Sequence, residues 1–322
     1  MRKKIVFMVS LLVIFGIATS AFAQKKPDFP RKSVTVICPW SPGGGTDVLL
    51  RSLSKETEKF LGQSITVVNN TGGGGGIGHA AIMNANPDGY TVGMITFELN
   101  SLPPQGLIPF TYKDYDPLMR INADPPALTV KKDSPFNNVK DFVAYAKAHP
   151  GEIAIGNSGP GSVWHIAAGL MAQQTGVKVK YVPFDGAAPA VTSLVGGHIQ
   201  AVSVSAAEVR AQVEAGNLKI LGVMDTKREL LFPNVPTFRE QGIDVTFYTW
   251  RGLALPKKVD PAVQAILSDA FKKAFDSKSF QDFAKKVGLN LAYQDGKDFA
   301  KFLETNAKDV EAVMKTLGLT KK

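Results

Sequence analysis

Three glycine-rich stretches offer the most chemistry in this chain: Pro42-Gly43-Gly44-Gly45, Gly72 to Gly76 followed by Gly78, and Gly156 to Gly161. Each follows an apolar run and precedes a helical pattern. The first backbone N–H groups of a helix lack intrahelical partners and sit at the positive end of its dipole, so each turn is a potential anion site. Glycine lets ligand oxygens approach the backbone closely. One such turn alone reads as well as a simple tight turn, but three at sheet ends favour a ligand. The second stretch, read Gly73-x-Gly75-x-x-Gly78, also fits the dinucleotide fingerprint, with Glu98 twenty residues further on where a ribose-binding acid belongs. The third, Gly156-Asn157-Ser158-Gly159-Pro160, departs from the Gly-x-Ser-x-Gly nucleophile elbow at its last position, and His165 follows in the same unit.

Context separates these chemistries. The dinucleotide fingerprint belongs after the first strand of such a unit, not the second, and no Gly-Lys-Ser/Thr completes a phosphate loop. The histidines at 79, 149, 165 and 198 and the lone Cys38 lack ligand-like spacing, which points away from a metal. Binding without catalysis or cofactor is the simplest use of the three turns. The alternative is an exported enzyme, either an oxidoreductase using Gly73, Gly75, Gly78 and Glu98 or a hydrolase using Ser158 and His165.

Arg2, Lys3 and Lys4 precede the apolar run Ile5 to Ile17, and Ala21-Phe22-Ala23 supplies a small-x-small cleavage pattern. Residues 1–23 read as a secretory signal peptide cleaved after Ala23, because the apolar run is shorter than a membrane span requires. The expected compartment is the periplasm. Cleavage leaves 299 of the 322 residues, a length suited to two domains. The formal charge of +9 includes the three basic leader residues, and the remainder is spread thinly, without the basic and aromatic run of a nucleic-acid binder.

The elements that must position the turns alternate strand and helix. Val34 to Trp40, Ser64 to Asn70, Tyr90 to Phe97, Lys178 to Val182, Ile199 to Val204 and Leu218 to Val223 read as strands. Helices are expected from Thr46 to about Phe60, from Ile77 to Asn84, after Gly161 to about Gly176, from Ala187 to Val195 and from Ala206 to Ala215. Asp260-Pro261 opens another, and a long final helix from about Lys297 carries Phe299, Phe302, Leu303, Val310, Val313, Met314 and Leu317 on one face. The pattern predicts a parallel α/β architecture.

Several motifs, in order, resemble the solute-binding receptors of tripartite tricarboxylate transporters, the Bug family. Pro39 to Asp47 looks like the family's first ligand loop, Asn69 to Gly78 like its second, and Gly159 to Ser162 with His165 like its third. Ala146 to Gly151, Phe184 to Ala190, Val195 to Ile199, Pro236 to Gly242 and Trp250-Arg251-Gly252 are similar to segments that follow or connect these loops. The second loop departs from the family in carrying Asn70-Thr71 where Arg-Pro is usual.

The resemblance implies an α/β, two-lobed, periplasmic-binding-protein-like fold with a hinge, residues 24–126 plus 246–322 forming lobe 1 and 127–245 lobe 2. It implies no enzyme and no cofactor. The expected ligand is a small organic carboxylate, delivered by a monomer to membrane subunits, or reported to a sensor partner if no transporter is present. The residues it places at the ligand are Trp40, Ser41, Gly43, Gly44, Gly45, Asp47, Gly75, Glu98, Asn157, Ser158, Gly161, Ser162, His165, Asp185 and Gly186. Asp47 is expected to orient the first loop, and the five-glycine run to form a flexible rim.

Overall fold

The computed structural model describes residues 27–321, so the expected signal peptide lies outside the described residues. Eleven strands form two separate sheets among these residues. The first sheet takes β1 (Val34–Cys38), β2 (Ile65–Asn69), β3 (Thr91–Thr96), β4 (Tyr115–Asn122), β10 (Arg251–Pro256) and β11 (Leu291–Asp295), in the order β11-β4-β10-β3-β1-β2. The second takes β5 (Pro126–Lys131), β6 (Ala154–Asn157), β7 (Lys180–Pro183), β8 (Ala201–Ser205) and β9 (Leu218–Val223), in the order β7-β6-β8-β5-β9. The chain therefore passes from the first sheet to the second between Asn122 and Pro126, and returns between Val223 and Arg251.

The expected all-parallel arrangement holds for only part of each sheet. Strands β1, β2 and β3 pair in parallel, as do β6, β7 and β8, but β10, β4 and β11 pair antiparallel in the first sheet and β5 and β9 antiparallel in the second. For β5 and β10 the reason is the double crossing, since each enters a sheet from the other one, at the opposite end from the strands joined by helical crossovers; β11 is reversed without such a crossing. Strands β4, β5, β10 and β11 were not separable in the sequence from loop.

Helices cover both sheets: α1 (Gly45–Leu61), α2 (Gly76–Met83), the single turn α3 (Glu98–Ser101), α4 (Val139–Ala148), α5 (Val163–Thr175), α6 (Ala187–Val195), α7 (Ala206–Glu214), α8 (Pro261–Asp276), α9 (Lys278–Val287) and α10 (Gly296–Thr316). Their ends follow local chemistry. Gly62 ends α1 in the left-handed conformation at φ 73°, Ser162 caps α5 by accepting from the His165 N–H, and Asp260 caps α8 with Pro261 in its first turn. Helices α1, α5, α6 and α7 all begin just beyond the carboxyl ends of strands β1, β6, β7 and β8. That is where open α/β sheets bind ligands.

The five-glycine run forms a short left-handed turn leading into α2. Four successive residues, Gly72 to Gly75, have φ of 111°, 59°, 63° and 89°, a run that side chains would oppose at every position. Gly78 is needed for a different reason, since a Cβ there would lie 2.6 Å from the Pro39 Cα.

Long-range packing buries Phe299, Leu303, Val310 and Met314 of the expected α10 face, while Phe302, Val313 and Leu317 at its edges are partly buried. Phe299 lies over Gly252 of β10 so closely that a Cβ at Gly252 would overlap its ring. Gly252→Ala should lower stability by about 1–3 kcal/mol through overpacking of this contact, read as a fall in thermal midpoint. An unchanged midpoint would mean that α10 does not seat on β10 in this way.

Candidate functional site

Where the two sheets face one another, a small, partly open cavity of about 20 Å³ is lined by Trp40, Ser41, Gly44, Gly45, Thr46, Thr96, Glu98 and Arg251 of one side and Ser158, Trp164, Ala187 and Glu208 of the other, with Thr249 from the returning chain. That volume holds about one water. Any larger ligand reaches it only when the two halves part.

Its floor is a buried charge network. The Arg251 guanidinium donates to Asp124 Oδ2 at 2.6 Å through Nη1, to Thr46 Oγ1 at 2.9 Å through Nε, and to Glu208 Oε1 at 3.3 Å through Nη2. Asp124 lies between β4 and β5, in the outgoing crossing, and Arg251 begins β10 at the end of the returning one. The Thr249 N–H also donates to the Asp124 carbonyl at 2.9 Å, so the two crossings are tied to each other. Glu208 belongs to α7, where it closes a capping box with Ser205 at 3.0 Å from the Ser205 N–H.

Two carboxylates reach across the seam toward the other side's helix start. Glu98 Oε1 accepts from the Val163 N–H in the first turn of α5 at 3.0 Å, while its Oε2 accepts from Thr96 Oγ1 at 2.5 Å. Glu208 lies against Gly45 in the first turn of α1, 2.9 Å from where a Cβ would stand. Burial raises both acids above the usual carboxylate range, against hydrogen bonds from Thr96 and Val163 for Glu98 and the charge of Arg251 for Glu208. Behind the network, Glu229 is pushed up to about 7, first by burial and then by the charge of Asp124. Its carboxylate also accepts from the Asn290 side chain at 3.1 Å.

Of the residues singled out in the sequence, Trp40, Ser41, Gly44, Gly45, Glu98 and Ser158 line the cavity. Trp40 is buried and its indole N–H donates to Thr96 Oγ1 at 3.3 Å. The Ser158 hydroxyl is buried and accepts or donates no hydrogen bond to protein. Asp47 is turned onto its own loop: burial opposes its ionisation, but Arg51, the Gly43 N–H and Asn69 outweigh it and hold the carboxyl below its ordinary range. Gly43 is thereby fixed behind the loop rather than at the cavity.

The others brace the seam. Ser41 Oγ donates across it to the Asp185 carbonyl, and Gly186, at φ 126°, lies close beneath Ser41. Gly75 packs under the Trp40 ring, and Gly74 meets Gly159 and Pro160 at the rim. Asn157 Oδ1 accepts from the Gly159 N–H at 2.9 Å, and Ser162 serves as the α5 cap. The space in front of Gly161 is filled by the Gln105 side chain, and the Gly161 carbonyl accepts from Ser101 Oγ at 2.7 Å. His165 lies outside the cavity: Nδ1 accepts from the Gly161 N–H at 2.9 Å, its ring meets Tyr181 edge-on, and burial lowers its basicity. With Ser158 unpartnered and His165 so engaged, these two residues do not form a nucleophile–base pair. Cys38 and His79 are core residues, the thiol pushed up to about 12 and the imidazole down to about 3 by burial.

Thr46, Thr96, Trp164, Ala187, Glu208, Thr249 and Arg251 join the cavity without having been singled out for it. Arg251 had one legible signal, a single basic residue opening the apolar run Arg251-Gly-Leu-Ala-Leu-Pro256, since a charge there must be paired.

The family model for the tripartite tricarboxylate transporter family receptor matches residues 49–319. Protein BugT of Bordetella pertussis is 31% identical over 281 residues, 84% of this chain and 86% of its own length. A TctC solute-binding protein from Polaromonas, solved with no ligand, is 40% identical with a TM-score of 0.65, covering 89% of this chain and 99% of that one. A Rhodopseudomonas palustris protein solved with adipate is only 26% identical yet has a TM-score of 0.87, covering 91% and 99%. Similarity in shape and in sequence thus run in opposite order between these two structures.

The raised Glu229 fixes a pH dependence. Its folded-state value of about 7 lies above the ordinary 4.5, so its favourable contribution is complete below 4.5 and is lost as pH rises toward 7. At about 1.4 kcal/mol per unit this amounts to at most roughly 3.5 kcal/mol. Denaturant titrations across that window should show stability declining with pH, and Glu229→Gln should flatten the decline. A stability that climbs through the window, equally in both proteins, would contradict the buried placement.

Proposed function

Because the chain belongs to the tripartite tricarboxylate transporter receptor family, we propose that this solute-binding receptor captures a small organic carboxylate in the periplasm and presents it to the transporter's membrane subunits. It does so as a monomer, without catalysis or cofactor, after its signal peptide is cleaved behind Ala23. Residues 24–126 with 246–322 form one lobe and 127–245 the other, and the lobes close on the ligand by a hinge motion.

The observation that carries this reading is the convergence of helix starts from two separate sheets on one small cavity between them. Donors of this kind suit a carboxylate and supply no reactive group. The ligand's carboxylate is held by the N–H groups of the turn 41–45 from lobe 1 and of 157–162 from lobe 2, with Trp40 and Trp164 as apolar walls. The high overlap with the adipate-bound protein, against a lower overlap with a more similar chain solved with no ligand, is what a closed arrangement of the lobes would give.

Gly44 offers a clean test. Its φ of −74° and ψ of 164° suit any residue, and a Cβ there would stand at the seam, 4.0 Å from the Ala188 N–H. Gly161, by contrast, has a φ of 66° and is crowded by Gln105, so its replacement would strain the backbone as well. Gly44→Val should abolish calorimetric binding of small mono-, di- and tricarboxylates while circular dichroism stays native. Binding that survives unchanged, or heat released only with NAD, would overturn the reading.

A further inference from the structure

The charged groups lining the cavity are Glu98, Glu208 and Arg251. The one guanidinium is already shared between Asp124 at 2.6 Å and Glu208 at 3.3 Å. Glu98, 1% exposed, accepts its hydrogen bonds from neutral groups, the Thr96 hydroxyl and the Val163 N–H. The lining thus carries two acids against one guanidinium. A second carboxylate of the ligand placed beside Glu98 would set like groups together where water cannot screen them, whereas an ammonium there would favour the ionised acid.

Three other features suit a cation. Trp40 and Trp164 both line the cavity, and aromatic faces attract ammonium groups. Ser158 Oγ, 2% exposed and without a partner, is a free acceptor in the wall. Glu98 stands where lobe 1 meets the start of α5, so an N–H of a ligand held between the lobes can replace the Val163 N–H as its donor when the lobes part and close again.

From these observations, and resting on the carboxylate reading above, we infer that the ligand carries a protonated nitrogen beside its carboxylate, and that Glu98 selects it. The carboxylate goes to the turn 41–45 and the cationic nitrogen to Glu98 and Ser158. Glu98 thereby acts as a specificity residue, excluding plain di- and tricarboxylates that the helix starts alone would accept.

The test is calorimetry on full-length mature protein with matched pairs of aliphatic and aromatic acids that differ by one ammonium group, such as succinate with aspartate, glutarate with glutamate and propionate with alanine. The ammonium-bearing member of any pair that binds should bind at least tenfold tighter, and Glu98→Gln, which keeps the shape and an acceptor for Val163, should erase that ratio. A general loss of affinity for both members would reflect structure rather than selection and would overturn the inference, as would a preference that survives Glu98→Gln. Tighter binding of the plain acids would remove the inference and leave the carboxylate reading standing. Failure of every acid in both classes to bind would remove the carboxylate reading, and the inference with it.

Discussion

The Arg251 guanidinium is the point through which the two halves of this molecule communicate. It joins Asp124 in one interlobe crossing to its own place in the other, touches Thr46 in the first turn of α1, and reaches Glu208 at the start of α7. A charge this deeply buried is tolerable only with such company, and leaving it or its partner unpaired costs about 3–5 kcal/mol. The network therefore does not merely add stability. It holds the two crossings side by side. The contact to Glu208 is the longest of the three at 3.3 Å and the one that runs to the opposite sheet. Opening of the cleft would break that contact and leave the pair with Asp124 intact.

On that frame the fold places four helix starts at one seam, and the seam is closed by side chains that imitate a ligand. Glu98 sits on the first turn of α5, and Glu208 against the first turn of α1. Glu98 caps a helix of the other side, by the same attraction between carboxylate and exposed N–H groups by which a free organic acid would be held, whereas Glu208 packs against the start of α1. A receptor built this way spends no reactive group on its ligand, which fits the unpartnered Ser158 and the engaged His165.

Several helices were legible because their signals are local: the amphipathic pattern of α1, the apolar spacing of α10, and Asp260-Pro261 ahead of α8. The glycine turns were legible as turns, but their roles were not. Gly161 reads as a ligand contact, but nothing local signals that Gln105, distant in sequence, packs in front of it. Gly72 to Gly75 read as a flexible rim, but nothing local signals that all four take positive φ, which also favours glycine. The antiparallel strands escaped because pairing direction depends on which sheet the chain has just left. The charge network escaped for a similar reason, since Asp124 and Arg251 lie 127 residues apart and no periodicity joins them.

That an organic acid closes the two sheets on one another, engaging the glycine rim and the α5 start in a single event, is most directly read by hydrogen exchange with and without the tightest-binding acid. The structure places Gly74 against Gly159 and Pro160 across the seam, so backbone protection should rise together in residues 69–78 and 156–165. Protection confined to either segment, or to neither while the acid binds, would contradict closure of the two lobes around the ligand.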